Sequence, residues 1–335
     1  MPANSRHIDP VNWGALVDEA LRRRKAEGLT QREHAALAGV SGPTIVGFDR
    51  KETTLTLAKA FDILRVVGLI DEPAESTAQD AFVNAAFARW QELTAGLTKT
   101  SPARFPHGWY RMDYCLNGDL EEVQLNRFEP LLRQAVTHHS GWPPFWLPDR
   151  GEIAPQQMDG AIECWLKPEG EPNVRYMSDP AHCDFWRVTP SGRAFLIRGY
   201  QEDGEETFPP GTLFDTTLPI WRMAEVLLHA ERLAGLVGKG GGDAATVQFR
   251  AHYSGLNGRV LRSWANPLSD LGIQGGAARS DETVLEAELQ VDGIGQRLAE
   301  AIHPLASSLF ERFGVTGLSE ERVSAEVQRL LQKRR

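Results

Sequence analysis

The chain has 335 residues, of which 41% are hydrophobic and 24% are charged. This length exceeds that of a bare DNA-binding module and predicts about two or three compact units. No run of about 18 apolar residues occurs, which argues against a membrane span. The first residues, MPANSRHIDP, lack the apolar run of a secretory signal. We therefore expect a cytoplasmic protein without membrane partners.

The net charge of −9 is distributed unevenly along the chain. From Trp13 to Ile70, nine Lys and Arg residues stand against seven Asp and Glu residues, which is +2 locally and leaves −11 for the rest. Such an asymmetry is typical of a small DNA-facing unit attached to an acidic body that phosphate would repel.

Residues 11–70 predict a series of short helices. The first spans Trp13 to Ala26 and places Leu16, Ala20 and the stem of Arg24 on one face. Thr30 and Glu33 form the pattern of a capping box for a second helix, which carries Ala35, Leu37 and Ala38 on its apolar side. Gly39 ends that helix.

Two more helices are expected before a boundary at residues 71–73. Ser41 is a cap, Pro43 suits the first turn, and Ile45 and Phe48 face a core. The fourth helix, from about Leu55 to Val67, points Leu57, Phe61 and Leu64 inward. A helical connector, residues 71–104, follows; its apolar stripe packs on its own chain or pairs with a second subunit.

Residues 105–335 predict an α+β domain. Strand-like runs occur at Ala161–Leu166, Phe185–Val188 and Ala194–Tyr200. Alternation from Val247 to Tyr253, a turn at Asn257-Gly258 and a return over Val260–Trp264 predict a hairpin. Helices are expected over 219–237, 293–313 and 319–333, with a strand at 285–291. The fold class is therefore multidomain, all-α followed by α+β.

Residues 29–48 contain the parts of a helix-turn-helix, in which one helix crosses the DNA backbone and the next enters the major groove. The parts are Leu29-Thr30-Gln31, Ala35, Leu37-Ala38-Gly39-Val40-Ser41, Thr44-Ile45 and Phe48. On these residues, the stretch from about Leu21 to Leu69 resembles the Cro and lambda repressor family, also called Xre-type. The resemblance implies about five helices, Gln31 near a phosphate, a recognition helix from Ser41 to Asp49, and a homodimer on an inverted-repeat operator.

The positions where such proteins read bases are unusual in this chain. Gly42 stands where a long Gln or Arg is common, and Val46-Gly47 replaces a polar pair. We therefore expect Ser41, Thr44 and neighbours such as Arg50 and Lys51 to contact the bases, or the protein to recognise the shape of the DNA. The expected DNA-binding residues are Arg24, Gln31, Arg32, Ser41, Gly42, Thr44, Arg50 and Lys51. The alternative is a fold kept for protein contacts alone.

A second resemblance rests on the segments GWPPF from Gly141, DPAH from Asp179, DFWR from Asp184, RGYQED from Arg198 and LPIWR from Leu218. Between about Gly141 and Pro267 the chain resembles the accessory region of prokaryotic Schlafen-like or Alba-like ATP-binding proteins. This implies a sensing or assembly domain and a link to phage defence. It does not imply ATP use, because GLVGKGGG at Gly235–Gly242 lacks phosphate-loop spacing.

Four tryptophans, Trp142, Trp146, Trp165 and Trp186, are candidates for a pocket that stacks a planar ligand or a nucleobase. The alternative is that they fill a core. No metal site is expected, because adjacent His182 and Cys183 cannot easily direct both groups at one ion. Cys115, Cys164 and Cys183 are expected to be reduced and buried. Asp179, His182 and Asp184 are the candidates for acid–base chemistry.

We expect a DNA-binding transcriptional regulator, a repressor by resemblance, that is not an enzyme and holds no cofactor. Its partners would be double-stranded operator DNA, a second copy of the chain, and a small-molecule, nucleic-acid or protein effector. One alternative is an antitoxin-like regulator that neutralises a protein partner. Another is an enzyme that processes nucleic acid.

Overall fold

The computed structural model describes residues 12–70, 77–149, 151–167, 179–205, 207–241, 245–265 and 275–332. Over these residues it is a mixed α+β protein with nine α-helices and a seven-stranded antiparallel sheet. The chain divides into two compact units, Met1–Thr77 and Ala78–Arg335. The boundary predicted at residues 71–73 lies outside the described residues. Within the described ranges, no helix combines the length and apolarity needed to cross a bilayer.

The first unit contains four helices in its described part. They are α1 (Trp13–Ala26), α2 (Gln31–Leu37), α3 (Gly42–Asp49) and α4 (Leu57–Val66). The first three helices begin at side-chain caps: Asn12 accepts from the Ala15 N–H, and Ser41 accepts from the Thr44 N–H, whereas Thr56 makes no such bond at the start of α4. The capping box predicted for Thr30 and Glu33 is confirmed.

The apolar core of the first unit is shared by all four helices. Its fully buried members include Val17 of α1, Ile45 and Phe48 of α3, and Ile63 of α4. The expectation that Leu37 and Phe61 point inward was wrong, because they are 64% and 39% exposed. Helix α4 instead turns Ala60, Ile63 and the predicted Leu64 to the core, a face rotated by about a fifth of a turn from the expected one. The side chain of Leu57 lies outside the described residues.

The second unit is built on the large sheet. Its strands, in spatial order, are β2 (Gln156–Met158), β3 (Ala161–Trp165), β4 (Phe185–Val188), β5 (Arg193–Gly199), β1 (Trp109–Asn117), β7 (Thr246–Ser254) and β9 (Thr283–Gln290). A separate parallel pair joins β6 (Leu213–Asp215) to β8 (Val260–Arg262). The central strand β1 was not predicted.

Helices cover the two faces of this sheet unequally. Helix α5 (Ala78–Thr94) packs Val83, Ala86 and Trp90 into a cluster with Phe185 and Phe195 of the sheet. The main core contains the opposite face of the sheet and four helices: α6 (Leu125–Ala135), α7 (Leu218–Val237), α8 (Leu298–Glu311) and α9 (Glu320–Gln332). Helix α5 therefore packs on its own chain within the second unit, where we expected a connector between domains.

The hairpin predicted over Val247–Trp264 was wrong. Strand β7 is present, but β1 and β9 occupy its two edges. The returning segment turns away at Gly255 (φ +74°) and pairs in parallel with β6. A hydrogen bond from the Gly258 N–H to the Ala278 carbonyl fixes the loop in that course. The turn residues were therefore identified correctly and the strand partner was not.

Candidate functional site

The helices α2 and α3 of the first unit are held at a fixed angle by a tight turn. Gly39 adopts φ +61°, a left-handed conformation that glycine enters without strain, and the Val40 N–H donates to the Ala35 carbonyl at 3.0 Å. Ile45 and Phe48 anchor α3 from behind at 1% and 0% exposure. The first turn of α3, residues 41–43, is exposed.

The N-termini of both helices are closed by hydroxyl groups. The Thr30 hydroxyl and backbone N–H donate to the Glu33 carboxylate at 2.7 and 2.8 Å, and these hydrogen bonds lower the pKa of Glu33. On α3, the Ser41 and Thr44 hydroxyl oxygens lie 2.8 Å apart. Ser41 and Thr44 are thus adjacent at the exposed start of α3, as their predicted roles require, and one hydroxyl donates to the other.

Arg24 and Gln31 are engaged within the unit itself. The Arg24 guanidinium donates two hydrogen bonds to the Asp49 carboxylate, at 2.9 and 2.8 Å, and the Gln31 amide donates to the same carboxylate at 2.5 Å. The side chains of Arg24 and Asp49 are only 14% and 15% exposed. This contact ties α1, α2 and the end of α3 together. Arg24 is therefore a positioning residue whose charge is neutralised, and not a free phosphate ligand.

The remaining basic residues differ in how they are paired. Lys51, with φ +63°, forms an ion pair with Asp18 at 2.7 Å. Arg32 and Arg50 are exposed and form no ion pair within the described residues. Arg32 follows Gln31 in the chain and Arg50 follows Asp49, so the Gln31–Asp49 contact brings both arginines to one end of the α2–α3 pair.

The outward side of α3 offers few hydrogen-bonding side chains. Gly42 has no neighbouring atom within 4 Å of where a Cβ would stand, whereas a Cβ on Gly47 would meet the Glu52 carboxylate at 2.9 Å. A shallow groove beside the helix is lined by Pro43, Thr44, Gly47, Glu52, Thr54, Leu55, Thr56 and Lys59. Gly42 therefore leaves the start of the α3 backbone accessible, whereas the Glu52 side chain covers Gly47. This surface suits close approach to a DNA backbone or groove wall more than bidentate base contacts.

The four candidate tryptophans do not surround one pocket. The Trp186 indole is fully buried and donates to the Trp146 carbonyl at 3.1 Å. Trp142 and Trp146 contact each other edge to face, with ring centroids 5.1 Å apart. Trp165 packs in the α5 cluster on the other face of the sheet. They therefore contribute to two separate cores.

The candidate catalytic and metal-ligating residues of the second unit are mostly engaged. Asp184 is 1% exposed and receives two hydrogen bonds from Arg198 and one from the Trp142 indole. His182 pairs with Asp179 at 2.6 Å. All three cysteines are buried, and burial raises the pKa of the Cys164 and Cys183 thiols. No group of three or more His, Cys, Asp or Glu side chains is placed to hold a metal ion in the part of the chain that is described.

The segments singled out in the second unit do converge around two buried arginines. Arg198 of β5 and Arg222 of α7 both donate to the Trp142 carbonyl, at 3.4 and 3.2 Å. Each has its own carboxylate partner, Asp184 for Arg198 and Glu225 for Arg222. Sequence reasoning identified these segments but missed the pocket beside them, because Tyr110 and Tyr253 on the adjoining strands come from outside the resembling segments.

Comparison with protein-family models, curated proteins and solved structures gave no match for this chain.

Proposed function

We propose that the first unit binds double-stranded DNA, with α3 entering a groove, and that the protein is a transcriptional regulator. The observation that carries this proposal is the exposed first turn of α3, fixed from behind by Ile45 and Phe48 and capped by Ser41. The turn between α2 and α3 and the capped start of each helix support the resemblance to Cro and lambda repressor proteins. The described part of this unit, residues 12–70, is all-α. We propose that it forms a DNA-binding domain and that an α+β domain follows it.

The charge distribution of the first unit favours contacts with the phosphates of DNA over contacts with its bases. Arg24 and Lys51 are paired with Asp49 and Asp18, so Arg32 and Arg50 are the cations best able to bind phosphate, at the end of the α2–α3 pair opposite the turn. Phosphate contacts position a protein on DNA, and base contacts supply specificity. Because α3 carries few donors beyond Ser41 and Thr44, we expect much of the specificity to come from DNA shape.

A negative charge added at the start of α3 tests this proposal without disturbing the core. Glutamate at Gly42 meets open space and stands at a helix start, where an acidic side chain is tolerated. Gly42→Glu should abolish binding to DNA from upstream of the gene in a gel shift at low salt. Gly96→Glu is the matched control, since Gly96 is also exposed and open but lies in the second unit. If both variants bind like the wild type, α3 does not face DNA.

The second unit would then assemble the regulator or sense an effector. An effector can change DNA affinity only if it binds one arrangement of the protein better than another. Homodimerisation on an inverted repeat and control of a phage-defence locus follow from the resemblances and stay part of the proposal.

A further inference from the structure

A narrow pocket in the second unit lies against the sheet where three strands meet. Tyr110 of β1 pairs in register with Arg198 of β5 on one side and with Tyr253 of β7 on the other. Cross-strand partners point to the same face, so these three side chains form the floor. Glu202, in the 3-10 helix after β5, and Arg222 of α7 form walls. The enclosed space holds about one water molecule, and the pocket is open on one side.

Two hydroxyl groups in this pocket, those of Tyr110 and Tyr253, make no hydrogen bond of normal geometry among the described residues, and these residues are 5% and 1% exposed. The Arg198 guanidinium lies near the Tyr110 hydroxyl and partly offsets the rise in the Tyr110 pKa that burial causes. Buried polar atoms are nearly always hydrogen-bonded, to protein or to something bound. The hydroxyl of neighbouring Tyr200, by contrast, is satisfied by the carbonyls of Trp109 and Ser254. The unpaired hydroxyls indicate a bound polar group, and each hydroxyl oxygen can accept a hydrogen bond from it.

Glu202 supplies the charge of the pocket. It is 3% exposed, accepts a hydrogen bond from the Asp215 N–H at 2.7 Å, and forms no ion pair within the described ranges. The two arginines of the pocket are already balanced, Arg198 by Asp184 and Arg222 by Glu225. Arg259, whose charge also acts on Glu202, is paired with Asp203. When Glu202 is ionised, the pocket therefore has a negative charge without a counter-ion.

Aromatic rings enclose the same space. Tyr110 lies 6.1 Å from both Tyr200 and Tyr253, and Phe214 lies 5.6 Å from Tyr200 and 5.9 Å from Tyr253, between ring centroids. The faces of aromatic rings attract cations, most strongly where water is excluded. One face of Tyr200 is already covered by the Arg259 guanidinium, 4.3 Å from the ring centroid. Tyr110, Tyr253 and Phe214 are therefore the rings that suit a small organic cation beside the carboxylate.

We propose that this pocket binds the primary ammonium group of a small amine, with the Glu202 carboxylate as counter-ion. A primary ammonium is about as large as water and has three N–H donors. One donor would go to Glu202 and the others to the hydroxyl oxygens of Tyr110 and Tyr253, while the rest of the amine leaves through the open side. Only the role of the amine as an effector rests on the proposed DNA binding; the binding site itself does not.

Ligand-detected NMR on the full chain at pH 8, with methylammonium chloride as probe, tests the site. We expect saturable binding that ammonium chloride displaces. Sodium chloride, methanol and tetramethylammonium should not displace it, since they lack the N–H donors or the charge. DNA is absent from this measurement, so failure of amine binding and failure of DNA binding are separate results.

Two variants and one matched control locate the binding. Glu202→Gln should weaken methylammonium binding by about tenfold or more, because a hydrogen bond to a charged group is lost. Glu205→Gln makes the same charge change three residues away, outside the pocket, and should bind like the wild type. Tyr253→Phe, which keeps the ring, should weaken binding several-fold. The proposal is overturned if methylammonium shows no saturable binding, or if folded Glu202→Gln binds it as tightly as the wild type.

Discussion

Replacing Glu202 by Gln should stabilise the second unit at neutral and alkaline pH. Burial, reinforced by the nearby Asp215 carboxylate, raises the pKa of Glu202 from 4.5 to about 7. Each pKa unit corresponds to about 1.4 kcal/mol, so keeping this carboxylate ionised in the fold costs on the order of 3 kcal/mol. A glutamine can still accept the hydrogen bond from the Asp215 N–H and needs no ionisation.

The sign of the pH effect follows from the raised pKa. The folded protein holds the Glu202 proton more tightly than the unfolded chain does, so the resulting stabilisation is complete below pH 4.5 and is lost as the pH rises through about 7. Between pH 5 and 8 the wild type should lose about 2.5 kcal/mol of unfolding free energy through this group. Asp215, Arg259, Tyr200, Asp203 and Tyr253 also influence the site, but they are common to both proteins.

Urea unfolding from pH 5 to 8 measures this difference. Eight of the nine tryptophans lie beyond Ala78, so tryptophan fluorescence reports mainly on the second unit. The free-energy curves of the wild type and Glu202→Gln should diverge as the pH rises, while Glu205→Gln should follow the wild type. Parallel curves for the wild type and Glu202→Gln would refute the assignment of Glu202 as an unpaired buried carboxyl.

Three further outcomes are expected. Thr30→Ala should destabilise the start of α2 by about 1 kcal/mol through loss of its cap, seen as faster amide hydrogen exchange over residues 31–37; unchanged exchange would count against the capping box. A double-mutant cycle of Arg24→Ala and Asp49→Ala, followed by thermal unfolding, should give a coupling of about 1 kcal/mol or more, and additive effects would show that the ion pair contributes nothing. Native Cys164 and Cys183 should react with iodoacetamide far more slowly at pH 8 than in denatured chain, because burial raises both thiol pKa values; equal rates would contradict that burial.

The local structure of the first unit could be predicted well from sequence. Helix starts depend on short-range chemistry, and Thr30, Glu33 and Ser41 act as caps as predicted. The buried face of α4 was harder to predict from the sequence. Phe61 and Ile63 are both apolar, and only packing against α2 decides which of them is buried. The engagement of Arg24 by Asp49 spans 25 residues and has no local sequence signal.

Strand β1 and the pocket of the second unit were not predicted from the sequence. Strand β1 is buried on both sides of the sheet, so its polar Arg111 and Asp113 obscure the alternation of Tyr110, Met112, Tyr114 and Leu116. Asp113 is held there by Arg250, 137 residues away. The amine pocket likewise depends on contacts between residues far apart in the chain, because its floor comes from three strands that are distant in sequence. An alternation count over Trp109–Asn117 is the signal that could have located the strand.

The salt dependence of DNA affinity is the most direct test of the proposal that this protein is a DNA-binding regulator. Fluorescence anisotropy of the full chain on labelled upstream duplex should give a linear fall of log affinity with log salt concentration. Each phosphate contact contributes about 0.9 to that slope, so the Arg32→Ala, Arg50→Ala double variant should lower the slope by about 1.8, and Arg22→Ala, whose cation is paired with Glu19, should change it little. No binding at about 50 mM salt, or an unchanged slope in the double variant, would contradict DNA recognition by this surface.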